Sequence, residues 1–225
     1  MLHTIRLVQE RLDQLGFDPG PIDGVRGPRT DAAIRAFKRS IGFRDRAYLG
    51  PLTLEALFKA APVSADLPWM AAASSILGLH ERRDTARLRK WFDKSVSWID
   101  PRDIAWCGAF VATAHRMAAP EIEIPENPLG ARNWGKFGVA CPPVFGATLT
   151  FWRVSPESWQ GHVGFYWGED ENAYHVLGGN QSNAVTITRI AKHRLLESRW
   201  PKGAKIINRP VFLDRKGVPL SENEA

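Results

Sequence analysis

The sequence predicts two domains in series, a small three-helix module followed by an α+β domain built on an antiparallel sheet. Three observations carry this prediction. Helical periodicity punctuated by turn formers fills the first 60 residues. The segment from Ala60 to Pro68, with two prolines and small residues, then interrupts the pattern. Beyond Ala147 the chain turns to short β-patterned runs separated by turns. The nine Trp all lie from Trp69 onward, so the two parts also differ in composition. These features place the module at 1–60, a linker at 61–67, the second domain at 68–215 and a polar tail at 216–225.

In the first part, Ile5, Val8, Leu12 and Leu15 recur at helical spacing before Gly16, a natural C-terminal stop. Residues 17–27 are dense in Gly, Pro and Asp and predict an ordered loop, with Asp23 foremost a turn-locking carboxylate. A second helix is predicted over 28–41, burying Ala33, Ile34, Phe37 and Ile41. A third follows Gly50-Pro51-Leu52-Thr53 and ends near Ala60.

In the second part a helix is predicted from Trp69 to Leu79, and a further helical pattern runs through Leu88, Trp91 and Phe92. Another runs from about Cys107 to Met117 with Phe110, Val111, Ala114 and Met117 on its buried face, while the small neighbours Gly108 and Ala109 leave access to the thiol. Strands are predicted at 147–153, 162–167, 174–177, 184–190 and about 206–212.

Cys107, in Trp106-Cys107-Gly108-Ala109-Phe110, stands at the head of its helix. There the positive end of the helix dipole favours a thiolate, and an imidazole in reach can accept its proton. His162, opening the strand Gly161-His162-Val163, is the candidate base. His115, two turns along the helix from Cys107, reads as a surface or capping residue, and His175 as structural. Trp152, Trp159 and Trp167 could line a sugar or peptide groove or fill the core.

The 225 residues are 44% hydrophobic, enough to bury real cores. A net charge of +6 and a pI near 9.6 suit an acidic partner, either nucleic acid or an anionic envelope polymer. The Lys and Arg are scattered, and no helix-turn-helix, zinc-finger or RNA-binding signature occurs, so no nucleic-acid partner is expected. No run reaches the roughly 18 to 20 apolar residues that span a bilayer, so no stable membrane insertion is expected. Met1 to Gly16 is amphipathic and interrupted by Arg6, Gln9, Glu10, Arg11 and Asp13. The expectation is therefore synthesis in the cytoplasm without a signal peptide. Cys107 and the loop residue Cys141 are expected as free thiols, and the chain as a monomer.

Val8-Gln9, Leu12, Gly16-Phe17, Ile22-Asp23-Gly24, Gly27, Thr30, Ala33-Ile34, Phe37, Gly42, Gly50, Thr53 and Leu57 together resemble the peptidoglycan-binding type 1 module over nearly all of residues 4–60. The family more often has Gln where Lys38 follows Phe37. The resemblance implies bacterial peptidoglycan as partner, with Asp23 and Gly24 as ligand contacts.

Trp106-Cys107-Gly108-Ala109-Phe110, Ala131-Arg132-Asn133-Trp134, Gly161-His162-Val163-Gly164-Phe165-Tyr166 and Leu177-Gly178-Gly179-Asn180-Gln181 resemble, as a set, the papain-like CHAP and NlpC-type peptidoglycan amidohydrolases over about residues 68–200. That resemblance implies Cys107 as nucleophile, His162 as general base and Asn180 as the group orienting the imidazole, with Gln181 in reserve. A Glu-x-Asn signature in some members would put a carboxylate where this chain has Gly178. Trp106, Trp134 and Gln181 are taken as substrate contacts. The implied activity is endolysin-like cleavage of a cell-wall amide through a thioester, by an amidase or an endopeptidase, without metal or cofactor. It acts at the cell wall, reached with the help of a holin or equivalent. A non-catalytic wall-binding or phage-tail component is the alternative. A zinc hydrolase has no His-Glu-x-x-His or comparable ligand cluster to rest on.

Overall fold

The computed structural model describes residues 5–59, 67–206, 210–211 and 220–221, without the side chains of Glu55 and Lys59. The chain divides into two compact units, one of Met1–Ala65 with Val211–Asp214 and one of Asp66–Pro210 with Arg215–Ala225. Of the expected linker only Leu67 is described. The expected polar tail lies outside the described residues but for Leu220 and Ser221, as does most of the strand expected at 206–212.

The first unit is three helices, α1 (Ile5–Gln14), α2 (Pro28–Ser40) and α3 (Pro51–Lys59). Pro opens α2 and α3, where its missing N–H costs nothing. Val8, Leu12, Leu15, Ala33, Ile34, Phe37, Leu57 and Phe58 form one core, and Phe17 meets Phe37 edge to face at 5.8 Å. Ile41, expected on the buried face, lies past the end of α2 and is 38% exposed.

The second unit contains α4 (Pro68–Ser74), α5 (Thr85–Trp91), α6 (Cys107–Ala118) and strands β1 (Val139–Ala140), β2 (Thr148–Trp152), β3 (Gly161–Glu169), β4 (Ala173–Gln181), β5 (Ala184–Ala191) and β6 (Leu195–Trp200). The strands form one antiparallel sheet in the order β1-β6-β2-β3-β4-β5. Residues 107–115 of α6 are all buried, with β3 and β4 on one side and α4 also packed against the helix, so the helix is apolar nearly all round. Met117, expected on the buried face, is 58% exposed near the end of that helix.

Two strands were not legible in the sequence. β1 is two residues long, and β6, Leu195-Leu196-Glu197-Ser198-Arg199-Trp200, carries charges beside its apolar residues and acquires strand character only by pairing with β2 and β1. β4 also runs on past Leu177 to Gln181, which carries the candidate polar residues into the sheet.

His115 is not a surface residue. It is fully buried, with Nε2 3.0 Å from Thr148 Oγ1, and it is ringed by Trp69, Trp134, Phe137 and Phe165. Its Nδ1 is buried without a hydrogen-bond partner, and burial lowers its pKa to about 3. His175 is buried and bonds Asp170 Oδ2 at 2.9 Å, and Arg189 closes the same carboxylate from Nε at 2.8 Å. Burial alone would raise the Asp170 pKa. Arg189, the Asn172 N–H and His175 outweigh it and hold the carboxyl well below its usual range.

Candidate functional site

In the first unit the loop 17–27 is organised around Gln9, which is 1% exposed. Gln9 Nε2 donates to Val25 O at 2.9 Å and reaches Thr30 Oγ1 at 3.2 Å and Asp23 Oδ1 at 3.3 Å, while its Oε1 accepts the Gly24 N–H at 2.8 Å. Asp23 Oδ1 also accepts the Val25 N–H at 2.8 Å, an Asx turn. The Val25 N–H, then Gln9, lower the Asp23 pKa. Asp23 is exposed and its carboxylate holds the turn, and Gly24 takes φ 81° beside it.

In the second unit Cys107 is the first residue of α6, and Trp106 is its N-cap with no capping side chain. The sulfur lies against the backbone N–H groups of Val163 and Gly108. Val163 follows His162 on β3, so the peptide joining base candidate to strand packs on the thiol. Cys107 is 6% exposed and His162 2%. Burial raises the Cys107 pKa, and the Val163 and Gly108 amides and the charge of Arg153 pull it back only in part. Desolvation therefore opposes the thiolate that the helix dipole favours.

His162 Nε2 lies 3.1 Å from Gln181 Oε1. Gln181 is fixed in turn: its Nε2 donates to Thr186 O at 2.7 Å, with Thr186 Oγ1 at 3.1 Å, Val176 O at 3.2 Å and Gly178 O at 3.3 Å around it. Backbone carbonyls only accept, so this network assigns the amide nitrogen to Thr186 and the oxygen to His162. A neutral imidazole bonded in this way carries its proton on Nε2.

The local chain explains why Gln181 reaches the imidazole. The β4–β5 register shifts between Gly178 and Gln181, Asn180 takes φ 58°, and Ser182 and Asn183, at φ 52° and 62°, form the tight turn that pairs Gln181 with Ala184. A Cβ on Gly178 would stand 2.8 Å from Gln181 Oε1 and 3.0 Å from His162 Nε2. A larger side chain at this position would crowd both groups. Asn180, expected to orient His162, is 8% exposed, and its neighbour Gln181 lies against His162 Nε2.

Neither Trp106 nor Trp134 is open to a substrate. Both are fully buried: Trp106 Nε1 donates to the buried Glu81 at 3.1 Å, and Trp134 Nε1 to Pro128 O at 2.9 Å. Gly108 does not open access to the thiol either, because a Cβ there would lie 2.0 Å from Pro128 O, a close approach that only glycine allows. Thr186 and the Val163 amide were missed at the sequence level. Their roles depend on hairpin register and on packing of α6 against β3, which no spacing reveals.

Cys107 and Cys141 are both free thiols. Among the described residues no three His, Cys, Asp or Glu side chains are grouped to hold a metal ion, and no helix is long and apolar enough to cross a membrane.

Residues 4–57 match the family described as "Putative peptidoglycan binding domain", a span that covers the three helices of the first unit almost completely. This supports association of that unit with peptidoglycan and so with the cell wall. No curated protein and no solved structure matches the chain.

Proposed function

We propose that the chain is a peptidoglycan hydrolase whose first unit binds the wall and whose second unit, a papain-like domain, cuts an amide of the stem peptide with Cys107. One observation carries this reading. The thiol at the head of α6 lies against the Val163 amide, which directly follows His162 on β3, and Gln181 Oε1, 3.1 Å from His162 Nε2, orients the imidazole.

In the reaction His162 takes the thiol proton as Cys107 Sγ attacks the amide carbon. A C–S bond forms, and the carbonyl becomes an oxyanion facing the first amides of α6. The imidazolium then protonates the leaving nitrogen, the C–N bond breaks, and a thioester remains. Water, deprotonated by the same imidazole, hydrolyses the thioester to a carboxylic acid and regenerates the thiol. Gln181 acts through His162 as a positioning residue. The basic chain adsorbs to an acidic wall, and tethering by the first unit raises the local substrate concentration. An endolysin released through a separate membrane-lesion protein fits this chemistry.

A second reading, a wall-binding protein without catalysis, has its own support: burial raises the Cys107 pKa, as it does for a structural thiol. Digestion of purified peptidoglycan by wild type and Cys107→Ala, with mass spectrometry of the products, separates the two. The expected result is release by wild type alone, free stem peptides marking an amidase and shortened peptides an endopeptidase. Equal inactivity on several wall types would leave the binding reading.

A further inference from the structure

Trp159 and Val154 are the most exposed large apolar residues among those described, at 85% and 80%, and both lie on the connection between β2 and β3. Of the other indoles, Trp106, Trp134 and Trp200 are fully buried, Trp167 packs on Phe145 and Trp152 lies under Arg194. Trp98 is 64% exposed, but its Nε1 is turned back onto Ser95 O.

The connection is held rigidly. Arg132 donates to Ser158 O and, at 2.8 Å, to Pro156 O, and its Cγ would lie 2.8 Å from a Cβ on Gly161. Within the loop Ser155 Oγ accepts the Ser158 N–H at 3.2 Å and Ser158 Oγ accepts the Gln160 N–H at 3.1 Å, while Arg153 N bonds Gln160 O at 3.2 Å across its neck. Val154 takes φ 66°, a conformation β-branched residues seldom adopt, and its side chain gains no burial in exchange. A strained, clamped loop that presents an indole to solvent is the arrangement of a preorganised recognition surface.

Its two stems lead to the candidate site. Trp159 precedes His162 by three residues, at most about 11 Å of chain. On the other stem, Trp152 pairs with Gly161 and Phe151 with His162 in the β2–β3 register.

We propose that Trp159 is a sugar-stacking residue, its indole face receiving a pyranose ring of the wall polymer beside Cys107 and His162. The polymer implied by the first unit is built of N-acetylated pyranoses, whose C–H faces suit the electron-rich face of an indole. The sugar subsite rests on the peptidoglycan reading, but not on catalysis by Cys107.

The test uses the full wild-type chain. All nine Trp lie from Trp69 onward, so the indole N–H signals of a 1H–15N spectrum report the second unit alone. The signal lost in Trp159→Phe identifies Trp159. Titration with the peptide-free GlcNAc–MurNAc disaccharide is expected to shift that signal saturably, to leave those of the buried Trp106 and Trp134 in place, and to require tenfold or more higher ligand in Trp159→Ala, read from the remaining shifted signals. A Trp159 signal unmoved by the disaccharide overturns the proposal, as does one moved only by free stem peptide, which would make the loop a peptide site. A Trp159 shift in a chain that fails to digest peptidoglycan upholds the sugar subsite and removes only the catalytic reading.

Discussion

Gln181 shows how much one side chain's surroundings matter. Its amide is oriented by Thr186 O, and that orientation propagates through Oε1 to the tautomer of His162. Replacing Gln181 by Ala is expected to lower kcat on soluble muropeptides on the order of 10²-fold with little change in KM, because the base is misplaced rather than removed. Asn180→Gly, which keeps the left-handed backbone, is expected to stay within a few-fold of wild type. Similar losses in the two variants would return the orienting role to Asn180. Cys107 supplies a second test. Burial raises its pKa, so alkylation by iodoacetamide, followed at Cys107 by mass spectrometry, is expected to rise steeply only above the ordinary thiol range of about 8.5, with no plateau near neutrality. A neutral plateau that His162→Ala abolishes would instead show a resting thiolate–imidazolium pair.

At the scale of elements, α6 is held at its head by a close backbone approach. Pro128 O sits where a Gly108 Cβ would be, and the same carbonyl accepts the Trp134 indole N–H, so the segment ahead of Ala131, the candidate nucleophile and Trp134 share one packing arrangement. Gly108→Ala is expected to destabilise the second unit by about 1–3 kcal/mol or more through forced backbone movement, read as a lower denaturant midpoint in Trp fluorescence. An unchanged midpoint would show that the segment can move away from the helix. The first unit contains no Trp, so its unfolding does not enter that signal.

For the molecule as a whole, two buried imidazoles tie stability to pH between neutrality and about pH 4. His115 titrates at about 3 in the folded chain, below its value of roughly 6.5 in the unfolded chain, so the unfolded state binds the extra proton in between. Stability from this group is complete above about pH 6.5 and is lost as pH falls toward about 3, at up to about 1.4 kcal/mol per pH unit. His175, also lowered by burial despite Asp170, adds in the same direction. Urea unfolding at pH steps from about 7 to about 4 is expected to show this loss, and His115→Phe to reduce its slope. An identical slope in the variant would assign the acid sensitivity elsewhere.

The helices of the first unit, the ordered loop around Asp23, the run of α6 from Cys107 and four of the strands were legible in the sequence because periodicity and turn chemistry are local properties of the chain. The positions of Cys107 at a helix start and His162 near a strand start were legible for the same reason. The tertiary structure alone decided the rest. It buried His115, Trp106 and Trp134, because a helix apolar nearly all round does not say which neighbours will cover it. Pairing with β2 and β1 made β6 a strand. The contact of Gln181 with His162 depends on the bulge and the turn after β4, because a one-residue shift in register turns a side chain to the opposite face of a sheet.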